Sequence, residues 1–203
     1  MTLTATLLNC SLKPTGDDDS STDAMLDLFA AELDRLEVAH RRVRVADHDV
    51  RPGVSHDEGD GDEWASVRDR IMAADILVFG TPIWLGNPSS VSQRVLERLD
   101  AYISETDDRG QMPPVDRVAL LAVVGNEDGA HHVGAQLYQG LADIGFTIPA
   151  NGMAYWVGEA MGSVDFQDLD EVPEKVEGVV QVAVENAVHL ARLLQAEPYP
   201  KVG

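Results

Sequence analysis

The chain has 203 residues, 44% of them hydrophobic, which suits one domain with a substantial core and excludes a wholly disordered chain. Its 35 acidic against 15 basic residues give a formal charge of -20, which excludes nonspecific nucleic-acid binding because phosphates would be repelled. The single cysteine, Cys10, excludes an internal disulfide or a Cys-rich cluster, while the lack of a signal peptide or of an apolar run near ~20 residues predicts a cytoplasmic protein without membrane insertion.

In chain order, "LTATLLNC" (3–10) reads as a central strand. A helix follows, capped by Ser20 or Ser21, with Met25, Leu26, Phe29, Leu33 and Leu36 at helical spacing. "RRVRVAD" alternates polar and apolar residues, as an edge strand does. The stretch 49–61 is a loop by composition, and its acidic part "HDEGDGDE" (56–63) reads as solvated. A second helix is expected over about 62–73, and then the buried strand "DILVFG". Val91, Val95, Leu99 and Tyr102 mark a third helix, for which Asn87 is the expected cap and Pro88 fits the first turn. "RVALLAVVG" (117–125) is the most apolar strand. A fourth helix carries Val133, Leu137, Leu141 and Ile144 and stops at Gly145. A fifth strand lies in 146–158, interrupted near 149–152, and a valine-rich last helix spans about 173–195. Five β units alternating with five α units imply a parallel sheet covered by helices on both faces.

Ligands of such sheets bind beyond the carboxyl ends of the strands, at the switch point. After the first strand, Ser11, Lys13, Ser20, Ser21 and Thr22 offer hydroxyls and a cation at a helix N-terminus, either as a phosphate cradle or as a capped helix after a polar loop. For the cradle, Asp17 to Asp19 must face solvent. After the third strand, "TPIWLGNPSS" combines a stiff turn at Pro82, an aromatic face at Trp84 and a glycine at 86 that permits close backbone approach. Trp84 either flanks a planar ligand or covers the sheet edge. After the fourth strand come Gly125, Asn126, Glu127 and Gly129. His131 and His132 point in different directions on a helix and lack a third ligand at metal spacing, so they read as solvent-facing. Neither a GxxxxGK[ST] nor a GxGxxG fingerprint occurs at the first loop.

Together "SLKPTGDDDSSTDAML", "TPIWLGNPSSVSQRVLERLD" and "VVGNEDGAHHVGAQLYQGLADIGF" resemble the FMN-binding loops of the NADPH-dependent FMN reductase family, in order and over most of the chain. The resemblance implies an α/β flavodoxin-like three-layer sandwich with a five-stranded parallel sheet in the order 2-1-3-4-5. It implies FMN as cofactor and NADPH or NADH as co-substrate, with hydride passed through the flavin to a quinone, a flavin or another small-molecule electron acceptor. Ser11, Lys13, Ser20, Ser21 and Thr22 would hold the FMN phosphate. Thr81, Pro82, Ile83, Trp84, Leu85, Gly86 and Asn87 would line the isoalloxazine and ribityl chain, and Gly125, Asn126, Glu127 and Gly129 would close the pyrimidine end. No protein acid or base is needed for the hydride step, so no catalytic residue and no metal site is expected. Glu127 must point away if it is not to disfavour an anionic reduced flavin. Members of the family form homodimers or homotetramers with the flavin near the interface. The segment 155–173 would close such a site, or else pack Trp156 into its own core.

Two other readings share the fold: a flavodoxin-type electron carrier whose acidic surface steers a basic partner, and a flavin-free module that binds a partner. A phospho-acceptor receiver domain is excluded, because the third strand ends in Phe79, Gly80 and Thr81 and no lysine lies between Lys13 and Lys175. No site for a nucleotide 2′-phosphate is recognisable, and the scarcity of lysine leaves only arginines such as Arg109 as candidates.

Overall fold

The computed structural model describes residues 2–16, 19–159 and 162–202; Asp17 and Asp18, expected to face solvent, lie outside the described residues. The strands are β1 (Thr4–Asn9), β2 (Ala39–Arg44), β3 (Ile76–Trp84), β4 (Asn87–Pro88), β5 (Val118–Gly125) and β6 (Met153–Val157). The helices are α1 (Ser21–Arg35), α2 (Trp64–Met72), α3 (Ser90–Leu99), α4 (Ala130–Asp143) and α5 (Glu174–Ala196). Short 3₁₀ turns cover Val45–Asp47, Asp100–Ser104 and Phe166–Asp168.

The parallel path runs β2-β1-β3-β5-β6, in the order expected for a flavodoxin-like sheet. Five strands were expected and six are present among the described residues, because β3 does not stop at Gly80. It continues to Trp84 and turns back as a hairpin, pairing Ile83 with Pro88 and Trp84 with Asn87. The chain leaves β1 toward β2 and then crosses to β3 on the other side, so the loops after β1 and β3 diverge at the switch point.

Alternation along the strands feeds two cores. Leu7, Val78, Leu120 and Ala154 meet Leu26 and Phe29 of α1 and Val180, Val184 and Val188 of α5. Leu8, Phe79, Leu121 and Val123 meet α2, α3 and α4 through Trp64, Val95, Leu137 and Leu141. Strands buried on both faces read as continuous apolar runs, which is why β5 has the most apolar sequence. Each large side chain removed from water in these layers contributes about 1.5–3 kcal/mol.

Two local expectations are corrected. Asn87 does not cap α3 and Pro88 is not in its first turn; both belong to β4. Ser89 is the cap, its hydroxyl accepting from the Ser92 amide at 3.0 Å. The acidic stretch 56–63 is not wholly solvated either. The Asp62 carboxylate is buried against the fully buried Arg98 at 2.7 Å, and Arg98 also donates to the carbonyls of Arg51 and Ser55, both at 2.9 Å. Burial alone would raise the Asp62 pKa, but the Arg98 bond and the amides of Glu58, Trp64 and Arg51 hold it well below the usual carboxylate range. An arginine buried on the inner side of α3 thus finds its partners in the loop that precedes α2.

Candidate functional site

Three loops and a strap surround one cavity of about 280 Å³ at the carboxyl ends of β1, β3 and β5. Ser11, Lys13, Ser20, Ser21 and Thr22 form its first wall, beside the N-terminus of α1. Ser20 caps that helix, accepting from the Asp23 amide at 3.3 Å. The first loop is shaped from beneath: Arg44 donates to the carbonyls of Lys13 at 3.3 Å and Pro14 at 3.0 Å. Thr15 donates both its amide and its hydroxyl to Asp47 at 2.6 Å. Burial works to raise the Asp47 pKa, yet these Thr15 bonds outweigh it and hold the carboxyl below its ordinary value. Lys13 Nζ donates to the Asp19 carbonyl at 3.2 Å.

Thr22 is 1% exposed, and its Oγ1 has no hydrogen-bond partner among the described residues. A buried hydroxyl without a partner costs stability unless a ligand satisfies it. Here it lies in the cavity wall, where the first amides of α1 also lack intrahelical acceptors. An anionic group such as a phosphate fits that position.

Pro82, Ile83 and Trp84 form the second wall. Trp84 is 54% exposed, so it borders the cavity rather than filling the core. Beyond it Leu85 (φ 51°) and Gly86 (φ 75°) make the two-residue hairpin turn, where positive φ at both positions is what a right-twisted hairpin of this length requires. The Leu85 carbonyl accepts from Asn87 Nδ2 at 2.8 Å. Leu85, Gly86 and Asn87 were expected to line the site; they form the hairpin tip outside the cavity wall. Thr81 is fully buried behind the wall. Its Oγ1 accepts from Ser92 Oγ at 2.7 Å and the Ser89 amide at 3.2 Å, bracing the hairpin on α3.

Gly125, Asn126 and Glu127 form the third wall. One oxygen of the Glu127 carboxylate is engaged by the hairpin, accepting from the Leu85 amide at 2.6 Å. Gly129 (φ 126°) stands against the hairpin rather than in the wall. A Cβ there would lie 2.7 Å from Gly86 Cα and 2.8 Å from its carbonyl oxygen.

The strap between β6 and α5 closes the cavity within the same chain. Trp156 and Phe166 pack at 5.5 Å between ring centroids, and both line the cavity with Asp165 and Gln167. Asn126 Nδ2 donates to Asp165 at 2.9 Å, and the Gln167 amide donates to Ser21 Oγ at 3.4 Å. Of the expected closing segment, Ala160 and Met161 lie outside the described residues. Leu12, Val124, Asp165, Phe166 and Gln167 were not singled out from the sequence. Only the aromatic content of 155–173 signalled the strap.

The remaining candidates lie elsewhere. Arg109 is bound to Asp107 at 2.9 Å and Asp116 at 2.7 Å, before β5 and at the opposite end of the sheet, so it is not placed to meet a nucleotide in this cavity. His131 and His132 are exposed as expected, and His131 meets the Tyr155 ring edge-on at 5.1 Å. No cluster of three or more metal-ligating side chains occurs among the described residues. Burial pushes the Cys10 thiol up, a shift the Ser92 hydroxyl only partly offsets, so it is no nucleophile at neutral pH. Among the described residues no helix is long and apolar enough to cross a membrane.

Comparison with known proteins agrees with this arrangement. Residues 4–162 match the model of the family described as NADPH-dependent FMN reductase. The chain is 33% identical over 209 residues to the 8-demethyl-8-aminoriboflavin-5'-phosphate synthase of Streptomyces davaonensis, covering 98% of this chain and 81% of that protein. It superposes on the solved structure of RosB with bound 8-demethyl-8-formylriboflavin-5'-phosphate at a TM-score of 0.88 and 32% identity, covering 98% of this chain and 82% of that one. An apo NADH:FMN oxidoreductase, EMOB, superposes at 0.69 with 18% identity over 98% of this chain and 94% of that one, a likeness of fold.

Proposed function

The chain belongs to the NADPH-dependent FMN reductase family, and from that premise we propose that it binds FMN in the cavity and acts as an NAD(P)H-dependent flavin oxidoreductase. The observation that carries this reading is the unpartnered Thr22 hydroxyl, buried in the cavity wall at the start of α1. Thr22, Ser11, Ser20, Ser21 and Lys13 would hold the phosphate. Pro82, Ile83 and Trp84 would carry the ring, with Thr81 bracing the shelf and Leu85, Gly86 and Asn87 forming its outer turn. Gly125, Asn126 and Glu127 would close the pyrimidine end, backed by Gly129. Bound FMN would supply acceptance of hydride from a nicotinamide and its onward transfer to a quinone, a flavin or another small acceptor. The chain's own residues bind, orient and exclude water: Glu127 fixes the hairpin, and Phe166 and Trp156 cover one side with apolar surface. Exposed Trp84 and Leu85 at the mouth (54% and 89%) support assembly as a homodimer or homotetramer that buries them.

A second reading treats the flavin phosphate as the substrate. It is favoured by the 33% identity, over nearly the whole chain, to a protein named for making a modified riboflavin phosphate. One experiment separates the two. The purified protein is mixed with FMN, freed of excess and scanned in the visible, then given NADH or NADPH with a quinone, and in a separate sample an amine donor in air. Retained flavin absorption with steady nicotinamide oxidation supports the oxidoreductase. Retained flavin whose mass changes on turnover supports the substrate reading, and retained, unchanged flavin without nicotinamide oxidation supports an electron carrier. A colourless protein that leaves FMN fluorescence unquenched overturns all three and favours the flavin-free module.

A further inference from the structure

Asn126 and Asp165 meet across the cavity from different segments, 39 residues apart in the chain, and both line it. A carboxylate can only accept hydrogen bonds, so the end of the Asn126 amide that faces it must be Nδ2, as the 2.9 Å bond shows. That contact settles an orientation an isolated asparagine leaves open. With Nδ2 engaged, the carbonyl end, Oδ1, is left as the amide's acceptor, without a partner among the described residues. The flavin's pyrimidine ring is an imide with one N–H, at N3, between two carbonyls. Of the imide's three polar groups, only N3–H can donate to a fixed acceptor.

We propose that Asp165 acts as a positioning residue, locking the Asn126 amide so that its carbonyl oxygen accepts from N3–H of the bound flavin. This rests on the flavin reading of the cavity and deepens it by naming which edge of the ring is recognised and by what. The amide is held by one hydrogen bond, and Gly158 packs behind Asn126, where a Cβ would come within 3.3 Å of Asn126 Cα. A bound ligand without a donor at that position would cover Oδ1 and leave it unpaired, and a flavin whose N3 is blocked meets an oxygen with nothing to accept. This contact would read the ring edge separately from the phosphate, which would be held at the other wall.

The test compares two ligands, FMN and N3-methyl-FMN, titrated into the unaltered protein and the Asp165→Ala, Asp165→Asn and Asn126→Ala variants, with flavin fluorescence as the signal. The expected result is a preference of about tenfold for FMN in the unaltered protein, falling to about twofold or less in Asp165→Ala and Asn126→Ala. Asp165→Asn can accept from Asn126 Nδ2 or donate to its Oδ1, so it no longer fixes the amide and should show a preference between those of the unaltered protein and Asp165→Ala. A merely structural role for Asp165 would weaken both ligands alike and leave their ratio unchanged. Equal affinity of the unaltered protein for the two flavins, or an undiminished ratio in Asp165→Ala, overturns the proposal while leaving FMN binding intact. Loss of FMN binding by the unaltered protein instead overturns the flavin reading itself, and the proposal with it.

Discussion

The Glu127 carboxylate accepts from the Leu85 amide at 2.6 Å, tying the loop after β5 to the tip of the β3–β4 hairpin 42 residues earlier. The bond holds a non-glycine residue at φ 51°, a conformation that asks for outside support. Replacing Glu127 by Ala frees that tip. FMN affinity is expected to fall about fivefold, measured by fluorescence quenching, whereas Glu127→Gln, which keeps an acceptor, falls by about twofold. Unchanged affinity in Glu127→Ala would show that the hairpin holds its shape unaided.

Thr22→Val removes the orphaned hydroxyl and keeps the shape of the side chain. Because no hydrogen bond within the protein is lost, the ligand-free protein should be as stable as before, or more so by about 1 kcal/mol. Affinity for FMN should drop about tenfold while affinity for riboflavin, which has no phosphate, does not change. Equal losses for both ligands would place the hydroxyl away from the phosphate.

Gly129→Ala and Gly178→Ala form a contrasting pair. At 129 a methyl group would collide with Gly86 backbone at 2.7–3.0 Å, at a φ of 126° that side chains rarely adopt. A loss of about 2–4 kcal/mol is expected in urea unfolding. At 178, on the exposed face of α5, a Cβ meets nothing within 4 Å, and stability should rise by roughly 0.5–1 kcal/mol. A tolerated alanine at 129 would mean that the two loops can part.

Asp62 predicts a dependence on acidity. Its folded pKa lies below the unfolded value, so the stability it contributes is complete above the usual carboxylate range near 4. That contribution is lost as the pH falls below about 4 toward the folded value. Asp62→Ala leaves Arg98 charged and buried, at a cost of about 3–5 kcal/mol at neutral pH, and its acid unfolding curve should be shallower than that of the unaltered protein. Thermal midpoints measured from pH 7 to pH 3 test both statements. Parallel curves for the two proteins would rule out a large role for this carboxylate in acid stability.

The layered fold was legible because periodicity is local: Met25, Leu26, Phe29 and Leu33 declare the face of α1 without reference to anything distant. The turn after β3 was harder, since Pro82, Gly86, Asn87 and Pro88 compose like a loop although only Leu85 and Gly86 turn. Composition does not reveal that a strand crosses a proline and comes back. Three of the cavity walls were readable as strand-to-helix loops at the switch point. Asp165 and Gln167 were not, because their partners Asn126 and Ser21 are remote in sequence and no local pattern encodes such a meeting. The buried Asp62 was hidden for a similar reason: its partner Arg98 sits on α3, 36 residues on.

Asp165 and Gln167 stand two residues apart, so their positions differ by at most about 7 Å of extended chain. One reaches the wall that carries Asn126 and the other the wall that carries Ser21. The strap therefore works as a caliper with fixed jaws. Neither wall can swing outward alone without breaking its bond to the same short segment.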